Sequence, residues 1–324
     1  MVGLAFKAIE PDKTALLVKV KPATADPETN VVFLGTSRIE RGIIPQVFDE
    51  MTRNFGMDGL HSYNAAQGGE SILEGISDSE ELFRVKKTGI KFVFIEPDLV
   101  SRLIIVESNT ERAIEFFTLA HAVRAIEFMD FPVRSPPPAI PTIIYLGHIA
   151  GASLQHYFNI GWMRVEPEPP NLSISASSRG FPDLDPKMHQ SMFTDDRYLE
   201  MARVIGTEPP QPGLISDLQF DLILSLASYV QSHGAVPILV RPPQLSHWEF
   251  ADAVAAKFSQ RCQGKGPLFL NFSSAAEYGE LYDPRNRMDE DHLNLAGARI
   301  FTTLVAQKLA TAMRDGSLAK PLCG

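Results

Sequence analysis

Ser37 stands two residues beyond an apolar run, Val31-Val32-Phe33-Leu34, with Gly35 and Thr36 between. In an open α/β sheet, ligands bind beyond the carboxyl ends of the strands, so a serine there is exposed. A helix starting at that point presents free backbone N–H groups and the positive end of its dipole. An attacking serine oxygen and the oxyanion it generates both need such surroundings. The same position also suits a plain helix N-cap. Near the other end of the chain, Asp289 and His292 lie three residues apart in Met288-Asp289-Glu290-Asp291-His292-Leu293-Asn294-Leu295-Ala296-Gly297. One turn at a helix start can bring that carboxylate to the imidazole Nδ1 side and leave the other ring nitrogen to take a proton from Ser37. Asn294 or Asp291 would cap the helix that follows. The same stretch also reads as a solvated acidic helix start, or as a metal cluster of Asp289, Asp291 and His292. No second ligand group accompanies that cluster, and no metal is expected. A third segment runs Tyr63-Asn64-Ala65-Ala66-Gln67-Gly68-Gly69-Glu70-Ser71. Paired glycines let a backbone approach a ligand closely and direct N–H groups at it, although an ordinary turn has the same composition.

These residues need a scaffold that joins distant parts of the chain. Four short apolar runs are continuous rather than alternating: Val31–Leu34, Phe92–Ile95 within Lys91–Glu96, Val236–Val240 within Ala235–Val240, and the weaker Leu268–Leu270. Continuous runs suit strands buried on both faces. Leu60–Tyr63 adds a short candidate. Helical spacing marks Ser79–Lys87, Glu111–Phe128, Ser216–Ser232 and Leu295–Met313. Alternation of strands and helices predicts a three-layer α/β/α domain around a parallel, flavodoxin-like sheet. The expected division is an N-terminal extension over 1–30, the α/β domain over 31–134 and 214–314, and a C-terminal tail over 315–324. An inserted helical and loop region over 135–213 opens with Ser135-Pro136-Pro137-Pro138 and is rich in Pro, Ser and Asp from Glu166 to Pro212. Such insertions commonly form lids or substrate regions.

Composition narrows the class. The 324 residues are 44% apolar and 21% charged, which excludes global disorder and coiled coil. The net charge of −9, with no cluster of Lys and Arg, argues against a nucleic-acid partner. Two cysteines, Cys262 and Cys323, exclude a disulfide framework and a Cys-rich zinc site. Residues Lys7, Glu10, Asp12 and Lys13 interrupt the N-terminal stretch, so no signal peptide is expected there. Ala139–Met163 lacks Asp, Glu, Lys and Arg, but Pro141, Gly147, His148, Gln155, His156 and Asn159 break it, and a buried helix pair or lid is expected rather than a membrane span. The chain has no Gly-x-Gly-x-x-Gly, P-loop, His-Glu-x-x-His or Gly-x-Ser-x-Gly motif, and no cofactor is expected.

The order of the three segments adds to each of them. A strand-end Gly-x-Ser, an Asn…Gly-Gly loop after the next strand, and Asp-x-x-His-Leu-Asn-x-x-Gly before the last helix resemble the SGNH (GDSL-like) hydrolase superfamily. The Gly35-Thr36-Ser37-Arg38 block is similar to the branch containing bacterial polysaccharide O-acetyltransferases and teichoic-acid acyl-transfer proteins. The resemblance covers Val31–Val100 and Ala235–Leu309. It implies that Ser37 is the nucleophile, His292 the general base and Asp289 its orienting partner, with the Ser37 and Gly69 amides forming an oxyanion hole. It implies serine-dependent acyl transfer at esters, with an acyl-ester donor and a carbohydrate acceptor, most concretely O-acetylation of a glycan. An esterase or deacetylase of the same type is the first alternative. A degenerate domain that binds a glycan or a membrane-bound acyltransferase is the second. Family resemblance points to the periplasm or cell surface, whereas the absence of an export signal points to the cytoplasm.

Two positions depart from the family pattern. Thr36 replaces the Asp that usually precedes the nucleophile. The third block normally supplies an Asn to the oxyanion hole, but the chain reads Ile95-Glu96-Pro97-Asp98-Leu99. One lost donor lowers the rate on the order of 10²–10³-fold, and Asn64 or Gln67 is the candidate replacement. Arg38 is a candidate for holding an anionic substrate group, or for pairing with a nearby carboxylate. Arg241, just beyond its strand, is a second substrate-contact candidate.

Overall fold

The computed structural model describes residues 17–101, 111–127, 146–147, 149–154, 156, 178–182, 184, 214–245, 248–263, 265–319 and 323. Its centre is a five-stranded, all-parallel sheet of order β2-β1-β3-β4-β5, with β1 Val31–Leu34, β2 Ser62–Asn64, β3 Phe92–Ile95, β4 Val236–Arg241 and β5 Leu268–Asn271. Helices cover both faces, giving a three-layer α/β/α domain. The sequence alone predicts this architecture. The strand order reverses between β1 and β3, and in doubly wound sheets that reversal opens the ligand crevice.

The four residues of β1 are all fully buried, and they divide by parity. Val32 and Leu34 join the layer built on α4 (Ile72–Val85), α7 (Asp217–Ser232) and α8 (Trp248–Cys262). Val31 and Phe33 join the layer built on α3 (Pro45–Asn54) and α9 (Leu295–Arg314), where Phe33 stacks on Phe94 with centroids 4.4 Å apart. Both faces of the strand are apolar, which explains a continuous run in place of alternation.

Several boundaries differ from the sequence expectation. The helix expected at Ser79–Lys87 begins earlier, at Ile72, because Ser71 and Glu74 form a capping box that satisfies the first backbone donors. The helix expected over Glu111–Phe128 is two, α5 Glu111–Phe116 and α6 Leu119–Glu127, and the Thr118 N–H bonds the Phe116 carbonyl at the break. The supposed N-terminal extension contributes α1, Leu17–Ala25, whose Val20 and Ala23 are buried in the core. Cys262 and Cys323 form a disulfide, so the C-terminal tail is tied to α8. Most of the 135–213 insertion, including Ser135–Pro138, Tyr157 and Trp162, lies outside the described residues, as does His247. Among the described residues, no helix is long and apolar enough to cross a membrane.

Candidate active site

The strands place the three segments at one edge. Ser37 opens α2 (Ser37–Glu40), which follows β1 after Gly35 and the N-cap residue Thr36. Gly35 makes the approach possible. A Cβ there would meet Glu96 Oε2 at 2.7 Å, Glu96 Cβ at 2.8 Å and the Ile39 side chain at 2.8 Å, which is closer than a side chain tolerates. The turn therefore packs directly on the residue that follows β3.

Across 255 sequence positions, His292 Nε2 lies 2.7 Å from Ser37 Oγ. Its Nδ1 lies 2.9 Å from both carboxylate oxygens of Asp289. Hydroxyl, imidazole and carboxylate thus form a continuous hydrogen-bonded line. With Asp289 ionised, Nδ1–H donates to it and Nε2 is the acceptor facing the serine hydroxyl. Asp289 Oδ1 also accepts the backbone N–H groups of Asp291 and His292, each at 2.8 Å. Burial opposes ionisation of Asp289, but the His292 ring and these two amides outweigh it and hold the carboxyl at about 2.

This depression has a measurable consequence. A folded-state value near 2 against an ordinary 3.8 stabilises the fold above pH 4, and the contribution disappears as pH falls through 2. The full size is about 2 kcal/mol. Asp289→Asn should therefore cost more stability at pH 5 than at pH 2, the gap closing by about that amount, as measured by urea unfolding at both values. An equal cost at the two pH values would remove the assigned role of the ionised carboxylate.

The loop carrying Asp289 and His292 has its own frame, which sequence reasoning missed. The Arg287 side chain is almost fully buried and donates to the carbonyls of Leu281 at 3.0 Å, Asp289 at 3.2 Å and Glu290 at 2.7 Å. The Met288 N–H bonds the His292 carbonyl at 2.9 Å, closing the loop across its base. Asn294, one of the two expected caps, is the N-cap of α9 and accepts the Gly297 N–H at 3.0 Å. Asp291 is not that cap.

The glycine loop lies on the other side of Ser37. A Cβ placed on Gly68 would be 3.7 Å from Ser37 Cβ. Gly69 has φ +68°, a left-handed conformation that glycine adopts without strain. The amides of Ser37, Gly68 and Gly69 make no hydrogen bond to other described residues. They are available to a negatively charged oxygen beside the serine.

Three other candidates are committed elsewhere. The Asn64 carboxamide is fully buried and donates to the carbonyls of Ile39, Glu40 and Ile43 at 2.9–3.1 Å, while its oxygen accepts the Ala66 N–H. It braces α2 from below rather than supplying an oxyanion donor. Arg38 pairs with Glu96 at 2.9 Å and Asp98 at 3.3 Å and bonds Gln244. That is the carboxylate-pairing alternative, not an open substrate contact. Glu96 in turn accepts the Thr36 N–H at 2.6 Å. A buried charge network thus holds the turn that carries Ser37. Burial pushes the Glu96 carboxyl up, with Arg38 opposing. Arg241 is fully buried and pairs with Asp252 at 2.9 Å, so it does not reach an open substrate site. Gln67 donates its backbone N–H to the Gly35 carbonyl at 2.8 Å.

Among the described residues, no group of three or more His, Cys, Asp or Glu side chains is arranged to hold a metal ion. No protein-family model matches the chain. No curated protein matches it either.

Proposed function

We propose that this protein is a serine-dependent acyl-transfer enzyme of the SGNH type that forms an acyl-enzyme on Ser37 and passes an acetyl group to a glycan hydroxyl. The observation that carries the reading is the 2.7 Å contact between Ser37 Oγ and His292 Nε2, backed by an ionised Asp289 on the far ring nitrogen. Ser37 Oγ attacks the carbonyl carbon of an acyl ester while His292 Nε2 takes its proton. The amides of Ser37 and the Gly68-Gly69 loop face the resulting oxyanion. Collapse breaks the ester C–O bond, and the leaving alkoxide takes the proton from the imidazolium. A carbohydrate hydroxyl, deprotonated by the same imidazole, then attacks the acyl-enzyme and regenerates the serine. Water in place of that hydroxyl gives the hydrolase reaction. A degenerate binding domain is the less favoured reading, because it leaves an assembled triad without a use. The Cys262–Cys323 disulfide supports an oxidising, extracytoplasmic setting, which suits a cell-surface glycan acceptor or a membrane-bound acyltransferase as donor partner.

The test uses a fluorophosphonate probe and an activated acetyl ester. The wild-type protein should label once, on Ser37, and Ser37→Ala should not label. Adding an oligosaccharide acceptor should divert acetyl groups from acetate to sugar. Labelling that persists in Ser37→Ala, or never occurs, defeats the serine mechanism. Acetate release indifferent to every acceptor assigns the hydrolase reaction instead.

A further inference from the structure

The glycine loop is held from outside by two buried cations, and neither belongs to the triad. Lys19 on α1 donates to the Ala66 carbonyl at 2.6 Å and pairs with Glu40 at 2.5 Å. Arg112 on α5 donates through Nη1 to the Gly68 carbonyl at 2.5 Å. Its Nε and Nη2 both lie 2.7 Å from Glu74 Oε1. Glu74 is itself fixed, since its other oxygen accepts the Ser71 N–H at 2.8 Å and the Ser71 hydroxyl at 2.9 Å in the capping box of α4. Arg112 is therefore anchored to a helix start and grips one particular peptide group.

In a trans peptide the carbonyl of one residue and the N–H of the next point in opposite directions. Holding the Gly68 carbonyl therefore aims the Gly69 N–H away from Arg112. A pair of glycines has little intrinsic preference for one orientation of that peptide, so the grip has something to decide. We infer that Arg112 is a positioning residue that orients the Gly69 amide as an oxyanion donor for the acyl transfer at Ser37. The inference rests on the serine acyl-transfer reading.

The experiment compares the full-length wild type with Arg112→Met, Arg112→Lys and Glu74→Gln. Readouts are kcat and KM on an activated acetyl ester, the inhibition constant of phenylboronic acid, and thermal unfolding. A boronate forms a tetrahedral adduct with a serine and uses the oxyanion donors, whereas ground-state ester binding does not. Arg112→Met should lower kcat about 10- to 100-fold, the range expected when an oxyanion donor is misplaced but not removed. KM should change less than about twofold, and boronate affinity should fall in step with kcat. Arg112→Lys keeps the charge and should recover part of both, and Glu74→Gln should lower both modestly. Folded variants with wild-type kcat and boronate affinity overturn the role of Arg112 alone. So does a loss of kcat without a loss of boronate affinity. If Arg112→Met does not fold, the same criteria apply to Arg112→Lys and Glu74→Gln. A wild type that neither labels with fluorophosphonate nor binds boronate overturns the underlying serine reading, and the inference with it.

Discussion

Replacing Ser37 by Ala is expected to lower turnover of an activated acetyl ester by about 10⁴-fold, with His292→Ala close to it and the double variant no slower than either single one. Members of a triad act as a unit, so removing one removes nearly the whole nucleophilic contribution, and a second removal finds nothing left to take. Losses of up to about 10⁶-fold occur where the oxyanion hole is complete. The lower figure is expected here because the residues beyond β3 offer no side-chain donor to the serine: Glu96 is bound to Thr36 and Arg38, and Pro97 has no backbone N–H. A hole built from backbone amides alone gives a slower wild type, and so a smaller distance to fall. Ser37→Ala should leave the unfolding midpoint nearly unchanged, since Ser37 is at the first position of a short helix already capped by Thr36. His292→Ala also removes the ring partner of Asp289 and should cost some stability. Steady-state kinetics of the three variants settle the matter. Multiplicative losses in the double variant would mean that serine and histidine act independently, and would overturn the coupling inferred from their 2.7 Å contact.

The sequence reveals that Ser37, His292 and Asp289 meet but not the frame around them, for a physical reason. β1, β3 and β4 are visible because their side chains are buried on both faces, so β1 and β3 are short unbroken apolar runs and β4 carries Ile238-Leu239-Val240 between Pro237 and Arg241. Asp289 and His292 are visible because a three-residue spacing lets one turn place a carboxylate on the ring, although the turn that does so is a loop ahead of α9 and not the helix start itself. α3 is not visible. Its residues Pro45–Asn54 carry Gln46, Asp49, Glu50 and Arg53 among few apolar side chains, and Pro45 at its start reads equally well as a loop. α1 is hidden by Pro22 inside it. The capping box at Ser71 and Glu74 is a local signal that the sequence does carry. The signal lies at the edge of the glycine segment, and there the eye reads a loop. Arg38, Arg112, Arg241 and Arg287 look alike in sequence. Which of them meets a carboxylate, a peptide carbonyl or a substrate depends on long-range packing that no spacing rule reports.

Arg287 carries the second large effect. Arg287→Met should destabilise the protein by on the order of 3 kcal/mol and lower kcat in the molecules that remain folded. The guanidinium serves the carbonyls of Leu281, Asp289 and Glu290 at once. Methionine fills a similar volume without a donor, so the Leu281 and Asp289 carbonyls must find water or go unpaired, at about 1–3 kcal/mol for each that stays buried, while the Glu290 carbonyl keeps the Leu245 N–H at 2.9 Å. Part of the gross cost is recovered because the charge itself no longer has to be buried, which keeps the net figure near 3 kcal/mol rather than at the sum. At about 2–4 °C per kcal/mol for a domain of this size, the unfolding midpoint should fall about 10 °C. The kinetic loss has a separate origin. Two of those carbonyls belong to the loop between Asp289 and His292, and a displacement near 1 Å of a positioned group costs up to about 10²-fold. Arg287→Lys should recover little, because an ammonium lacks the planar fork that reaches three acceptors from one buried position. A midpoint within about 2 °C of wild type together with unchanged kcat would show that the loop holds its shape without the arginine. The Met288–His292 backbone bond, the Leu245 N–H on the Glu290 carbonyl and the Asp289 amide contacts would then be enough to hold the imidazole.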